Sequence, residues 1–296
     1  MSPIAPPLPA LPPAFNTLDT QLDGLAGQVA RLSLELDQLK RRDAVVNGAM
    51  QRLDEEQRLA ARLQRDFLPK KLPQTGGVHF HTLYRPAGYV SGDLYDVMRL
   101  DESHVGFYVA DAVGHGMPAA LLTMFMKNAL VTKEVGDGTY RLLEPSQTIA
   151  RLNNSLCAQD LSHATVATAA YGPINTKTLE LAFSTGGHPN PVLLRDGELR
   201  DLKCEGALLG IFPNEPFHDC RVQLCQGDRV FCYTDGIEVA FTDESTADTE
   251  RWRTELLSRQ GMTTAAILQS IADHLDATNG SLLPKDDLTI VAMEIR

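Results

Sequence analysis

The sequence is poor in several features that would place it in large functional classes. Tryptophan occurs once and aromatic residues make up 6% of 296 residues, with no cluster suited to stacking bases. No run approaches the ~20 consecutive apolar residues of a membrane span. The first residues lack a basic start followed by an apolar stretch, so a secretory signal is not expected. No Gly-rich phosphate loop of the Walker type occurs. The five cysteines, Cys157, Cys204, Cys220, Cys225 and Cys232, are scattered, odd in number and form no CxxC pair. That pattern argues against a zinc site and against a disulfide framework, and it fits a reducing cytoplasm. Basic charge is scarce too, with 27 Lys and Arg against 38 Asp and Glu. The deficit lies beyond residue 73: residues 1–73 carry ten basic and nine acidic side chains, leaving 17 and 29 for the rest, a net of −12. An acidic globular part is a poor partner for nucleic acid and a plausible host for divalent cations.

Hydrophobic residues reach 43%, enough for a substantial core. Residues 1–16 are rich in proline and read as an extended, disordered tail. Residues 17–68 read as a coiled-coil and linker helix. Leu18, Leu22, Leu25, Val29, Leu32, Leu36 and Leu39 alternate spacings of four and three, the heptad signature. The register continues through Val46, Met50 and Leu53, with Asp43 on the seam. It weakens at Gln57 and Gln64, where the stripe shifts to Leu59, Leu63 and Phe67, and Pro69 and Pro73 end the helix. Seven uninterrupted seam positions favour a homodimer over a single packed amphipathic helix.

Residues 77–296 read as a globular domain. Strands are expected at 78–84, 94–100, 104–110, 165–171, 179–184, 191–195, 198–203, 229–233 and 288–295. Helices are expected at 118–133, at 146–157 with Ser146 as N-cap, and at 263–275. Asp196-Gly197 marks a hairpin turn. Strands outnumber helices and several pair through short turns. The expected class is therefore α+β, with antiparallel sheets and helices packed outside. Met117, Met124 and Met126 are expected in the core.

Aspartates stand where strands end: Asp93, Asp111, Asp235 and the pair Asp286-Asp287, the first three close to glycines that permit tight turns. Carboxylates gathered in one place repel unless cations neutralise them, and hard oxygen donors suit magnesium or manganese. Taken singly, an Asp-Gly after a strand is more often a turn than a ligand. His115, in Gly114-His115-Gly116, is either a general acid or a turn residue. His188 is expected in a structural loop role. His79 and His81 share one strand face without a third ligand nearby, which discounts a metal there.

The ordered motifs carry more. They are Pro86-Ala87-Gly88-Tyr89-Val90-Ser91-Gly92-Asp93, Ala110-Asp111-Ala112-Val113-Gly114-His115-Gly116, Ser184-Thr185-Gly186-Gly187-His188-Pro189, Tyr233-Thr234-Asp235-Gly236 and Asp286-Asp287-Leu288-Thr289. In this order they resemble the SpoIIE/RsbU branch of the PPM-type metal-dependent phosphatases, over residues 77–296. The resemblance implies a sandwich of two antiparallel sheets flanked by helices. It implies hydrolysis of phosphoserine or phosphothreonine with two divalent cations, Mn2+ or Mg2+. It implies Asp93 and Asp111 as bridging ligands, Ala112 through its backbone carbonyl, and Asp235 and Asp286 as further carboxylates, with Asp287 ranked second to Asp286. It also implies a phosphorylated STAS-type anti-sigma-factor antagonist as substrate, and a linker helix over 59–73 that influences the metal site. The phosphate-binding arginine of eukaryotic relatives is generally missing in this branch. Arg85 is a candidate substitute, against the plainer reading of a surface arginine. The alternatives are a two-metal phosphoesterase acting on a small molecule and a non-catalytic coiled-coil scaffold.

Overall fold

The computed structural model describes residues 13–136, 138–159, 166–241, 250–279 and 285–296. The chain forms two compact units, Met1–Gln57 and Arg58–Arg296. Helix α1, Pro13–Phe67, begins inside the segment expected to be a tail; the other tail residues, 1–12, lie outside the described residues. It has 55 residues, on the order of 80 Å at about 1.5 Å per residue. Leu22, Leu25, Val29, Leu32, Leu36, Leu39, Val46, Met50 and Leu53 all expose more than half of their surface. The side chain of Leu18 lies outside the described residues.

The second unit stacks two five-stranded sheets. The first has the order β1 (Val78–Arg85), β12 (Leu288–Ile295), β11 (Arg229–Tyr233), β8 (Val192–Arg195), β9 (Glu198–Asp201). The second has the order β10 (Cys220–Gln223), β7 (Glu180–Gly186), β6 (Ala167–Asn175), β3 (His104–Ala112), β2 (Asp93–Arg99). All paired strands in both sheets run antiparallel. A separate hairpin joins β4 (Lys133–Gly136) and β5 (Thr139–Leu142).

Period-two alternation builds three apolar layers from these strands. In β12, Val291, Met293 and Ile295 face the layer between the sheets, while Leu288, Ile290 and Ala292 face outward. In β3, Val105, Phe107 and Val109 point inward, and Tyr108 and Ala110 outward. Each outward face needs a cover, because both sides of the central strands are apolar. Helices α4 (Gly236–Phe241), α5 (Arg251–Ser258) and α6 (Thr264–Asn279) cover the first sheet, with Trp252, Leu256, Ile267 and Ile271 buried against it. Helices α2 (Met117–Ala129) and α3 (Pro145–Cys157) cover the second through Met126, Ile149, Leu152 and Leu156. Removing one such Leu or Ile from water contributes about 2 kcal/mol, so the helices are held by their buried stripe. The expected sandwich with flanking helices is thus the observed fold.

Some local expectations need correction. The N-cap of α3 is Glu144, in a reciprocal capping box with Gln147; Ser146 instead binds Asp219 through its N–H at 2.7 Å and its hydroxyl at 2.9 Å. Met117 is exposed, while Met126 is buried and Met124 partly so. Cys204 and Cys220 form a disulfide with Cα atoms 5.9 Å apart, contrary to the expected absence of disulfides. The two cysteines bracket the segment between β9 and β10, a closure that their spacing does not reveal. The Asp196-Gly197 turn forms as expected, with φ of 52° and 80°.

Candidate active site and metal centre

Asp93 opens β2 and Asp111 lies near the end of β3, and the two face each other in the antiparallel register. Asp93 is fully buried, with 1% of its surface exposed. Its Oδ2 accepts hydrogen bonds from the hydroxyls of Thr234 and Thr289, both at 2.7 Å. Those threonines belong to the opposite sheet, at the ends of β11 and β12. They bind each other through the Thr289 N–H to Thr234 Oγ1 at 2.9 Å and the Thr234 N–H to the Thr289 carbonyl at 3.0 Å. Asp235 follows Thr234 directly and leads into α4. Gly236 is required here: a Cβ would stand 1.9 Å from the carbonyl oxygen of Asp287. That contact sets Asp235 beside the Asp286-Asp287 pair. Gly92 is similarly confined, since a Cβ would meet the Ala112 carbonyl oxygen at 3.2 Å.

Asp286 and Asp287 are neighbours with different surroundings. Asp286 is exposed and Asp287 buried. Both carboxylate oxygens of Asp287 accept backbone N–H groups, from Ala87 at 2.6 Å and Gly92 at 2.7 Å. Asp287 therefore straps down the turn that carries Asp93. Asp286 makes one such bond, accepting its neighbour's N–H at 2.8 Å.

The carboxyls perturb one another strongly. Burial first, and then Asp235, Asp286 and Asp287, push the Asp111 carboxyl up to about 7. Burial and the facing Asp111 raise Asp93 well above the carboxylate range, against the pull of its two threonine hydroxyls. Asp286, though exposed at its edge, is raised by partial desolvation within the cluster and by Asp235 and Asp287, while the Asp287 N–H and His115 oppose this. His115 is therefore near Asp286, and is itself exposed. An all-oxygen donor set with mutual repulsion fits hard divalent cations. Among the described residues, no three His, Cys, Asp or Glu close around one point. Water and the Ala112 carbonyl would complete a shell around one or two carboxylates per ion.

A cleft of about 420 Å³ opens onto this cluster, lined by Asp111, Thr168, Gly187, His188, Asp235, Glu238 and Arg253 among others. His188 thus lines the mouth as well as closing a loop. Its Nδ1 lies 2.8 Å from the Thr168 hydroxyl, and burial pushes the imidazole down to about 3. Arg253 packs over the Trp252 ring at 5.0 Å and binds Asp201 at 2.6 Å. Arg85, the arginine singled out in the sequence, pairs instead with Asp276 of α6 at 2.8 Å on the surface. His81 stands 3.6 Å from Glu294, with no third ligand.

Sequence reasoning missed Gln64. It lies in the part of α1 that belongs to the globular unit and exposes only 2% of its surface. Its Nε2 donates to the Ser91 carbonyl at 2.7 Å, and its Oε1 accepts the Ser91 N–H at 2.9 Å. The weakened seam at Gln64 was the available signal, because a polar residue on an apolar stripe needs a partner. Ala61 and Ala60 pack with Val90 and Ala120 beside it. Lys127 of α2 holds the Phe67 carbonyl at the helix end and pairs with Asp96 at 2.9 Å. Thr234 and Thr289 were also missed as carboxylate partners, although they lie inside the motifs.

Residues 101–296 match the family model described as Stage II sporulation protein E (SpoIIE). Phosphoserine phosphatase RsbU of Bacillus subtilis (strain 168) is 26% identical over 253 residues, covering 84% of this chain and 72% of that protein. Phosphoserine phosphatase RsbP of the same organism is 27% identical over 187 residues, covering 62% of this chain and 45% of its own length. Among solved structures, the SiaA-PP2C domain of Pseudomonas aeruginosa superposes with a TM-score of 0.71 at 23% identity, covering 84% of this chain and 99% of that one. The chain belongs to the SpoIIE family, in the SpoIIE/RsbU branch of the PPM-type protein serine/threonine phosphatases.

Proposed function

We propose that this chain hydrolyses phosphoserine or phosphothreonine on a regulatory protein, a STAS-type anti-sigma-factor antagonist, in bacterial partner switching. The two cations would be held by Asp93, Asp111, the Ala112 carbonyl, Asp235 and Asp286. Bound there, Mn2+ or Mg2+ supplies Lewis-acid stabilisation of the phosphoryl group and an activated water for in-line attack. Asp287 holds the Asp93 turn through two backbone N–H groups. Thr234 and Thr289 orient the Asp93 carboxylate. His115, exposed and near Asp286, would give a proton to the departing serine or threonine oxygen.

The observation that carries this reading is the gathering of carboxylates at one end of the sandwich, where Asp93 faces Asp111 in the sheet register, Asp111 and Asp235 line one cleft, and Gly236 lets Asp235 approach the Asp286-Asp287 pair; such a charge cluster needs cations. The names of RsbU and RsbP, both phosphoserine phosphatases, support the substrate class. The test is phosphate release from a phosphorylated STAS-domain protein with manganese present. Release should vanish on chelation and fall at least a hundredfold in Asp111→Asn. Equal turnover of nucleotides would favour the small-molecule alternative, and an inactive wild type the scaffold.

The exposed heptad seam of α1 supports a homodimer, because apolar stripes of this length are normally covered. Sedimentation of the full chain should give twice the monomer mass, and Leu32→Asp should reduce it. A cytoplasmic location follows from the substrate class; no helix among the described residues is long and apolar enough to cross a membrane.

A further inference from the structure

The segment between the disulfide cysteines carries Leu208, Ile211 and Phe212, all exposed, with Phe212 showing 63% of its surface. Their backbone is firmly held from beneath. Leu209 pairs with Ala167 of β6 in both directions, at 2.9 and 3.2 Å. The fully buried Asn153 of α3 accepts the Gly210 N–H at 2.9 Å and donates to the Phe212 carbonyl at 2.8 Å. A loop fixed this well, yet holding large apolar groups in water, is preorganised for a partner.

The sheet register says which partner. Leu209 neighbours Ala167, and Ala167 pairs with Ala112 on β3. The next rung pairs Thr168 with Asp111, and both residues line the catalytic cleft. Leu208 packs onto Gly187, another cleft residue, where a Cβ would meet its side chain at 2.6 Å. Val113, 64% exposed, follows Ala112 on the far side of the same row. The apolar residues therefore form a rim continuous with an acidic cleft.

We infer that this rim, centred on Ile211 and Phe212, is the docking surface for the folded phosphoprotein substrate. It takes an apolar patch beside the phosphorylated residue while that residue enters the cleft. The inference rests on the functional reading above and adds the surface by which the enzyme separates a protein from a small phosphoester. The cleft reads the phosphoryl group, and the rim reads the fold that presents it.

The test compares wild type, Phe212→Ala and Ile211→Ala on a phosphorylated STAS-domain protein and on p-nitrophenyl phosphate, with manganese present. Truncating a well-packed apolar anchor weakens a protein interface by about tenfold or more. KM for the phosphoprotein should therefore rise about tenfold, with kcat/KM for the small ester unchanged. A parallel loss on both substrates would overturn the inference, as would no change on the phosphoprotein; thermal melts identify any loss that comes from misfolding, and Ile211→Ala then decides. If the wild type itself leaves the phosphoprotein untouched while cleaving the small ester, the functional reading fails and the docking surface falls with it.

Discussion

Asp286 and Asp287 are adjacent in sequence but should fail in opposite ways when altered. In Asp287→Ala, the half-buried N–H of Ala87 and the buried N–H of Gly92 lose their acceptors. Each buried unpaired N–H costs about 1–3 kcal/mol. Part of that is offset, because Asp287 also repels Asp93, Asp111 and Asp286. A net loss of about 2–4 kcal/mol follows, or roughly 5–12 °C in Tm for a unit of this size. Asp287→Asn keeps one acceptor oxygen but turns an amide donor toward the other N–H, so it should lose about half as much. Asp286→Asn keeps the oxygen that accepts its neighbour's N–H and removes a repelling charge. Its Tm in chelator should match or exceed that of the wild type. The assay is thermal melting in chelator and across a manganese titration. Asp287→Ala should melt low yet still gain stability from manganese, whereas Asp286→Asn should melt normally and lose most of that gain. The reverse pattern would refute the assignment of strap and ligand.

Gln64→Ala should lower Tm by roughly 5 °C, because both polar groups of the buried Ser91 peptide lose their partner. Gln64→Glu would bury an unpaired charge and set an oxygen against the Ser91 carbonyl, so it should melt no higher than Gln64→Ala; equal melting of all three would show that the clamp carries no energy. His188 gives a pH signature. Its folded value of about 3 lies below the usual histidine value of 6.5, so the unfolded chain binds the extra proton between those limits. Its own contribution to stability should drop as pH falls from about 6.5, by up to about 1.4 kcal/mol per pH unit, against the opposite trend set by the raised carboxyls of Asp111 and Asp93. His188→Gln should flatten that slope in urea titrations at pH 5 and 7; an unchanged slope would place the acid sensitivity elsewhere.

Much of the fold was legible because alternation is local. The strands at 229–233 and 288–295 form over the expected residues, and Asp196-Gly197 forms the expected turn. The aspartates stood out as a set because each lies at or beside one end of a strand inside a motif. What was hidden depends on distant partners. Gln64 finds Ser91, 27 residues away, and Asp93 finds Thr289, 196 residues away. No spacing rule reaches that far. Strand β10 has four residues and a polar outer face, too short for a periodic signal. Helix α5 starts at Arg251 without a capping side chain, so Arg253 gave no warning that it would border the cleft.

The grip of Thr234 and Thr289 on Asp93 has a consequence for how the molecule comes apart. The threonines are in one sheet and the carboxylate in the other, so the site is also the clasp that shuts the sandwich at that end. Chelation leaves like charges pressing against a closed clasp. Amide hydrogen exchange should then quicken first at the start of β2 and of β12, while the opposite ends of both strands stay protected. Catalytic loss and the first step of unfolding would share one origin, and a cation would act on the lifetime of the protein as much as on its turnover.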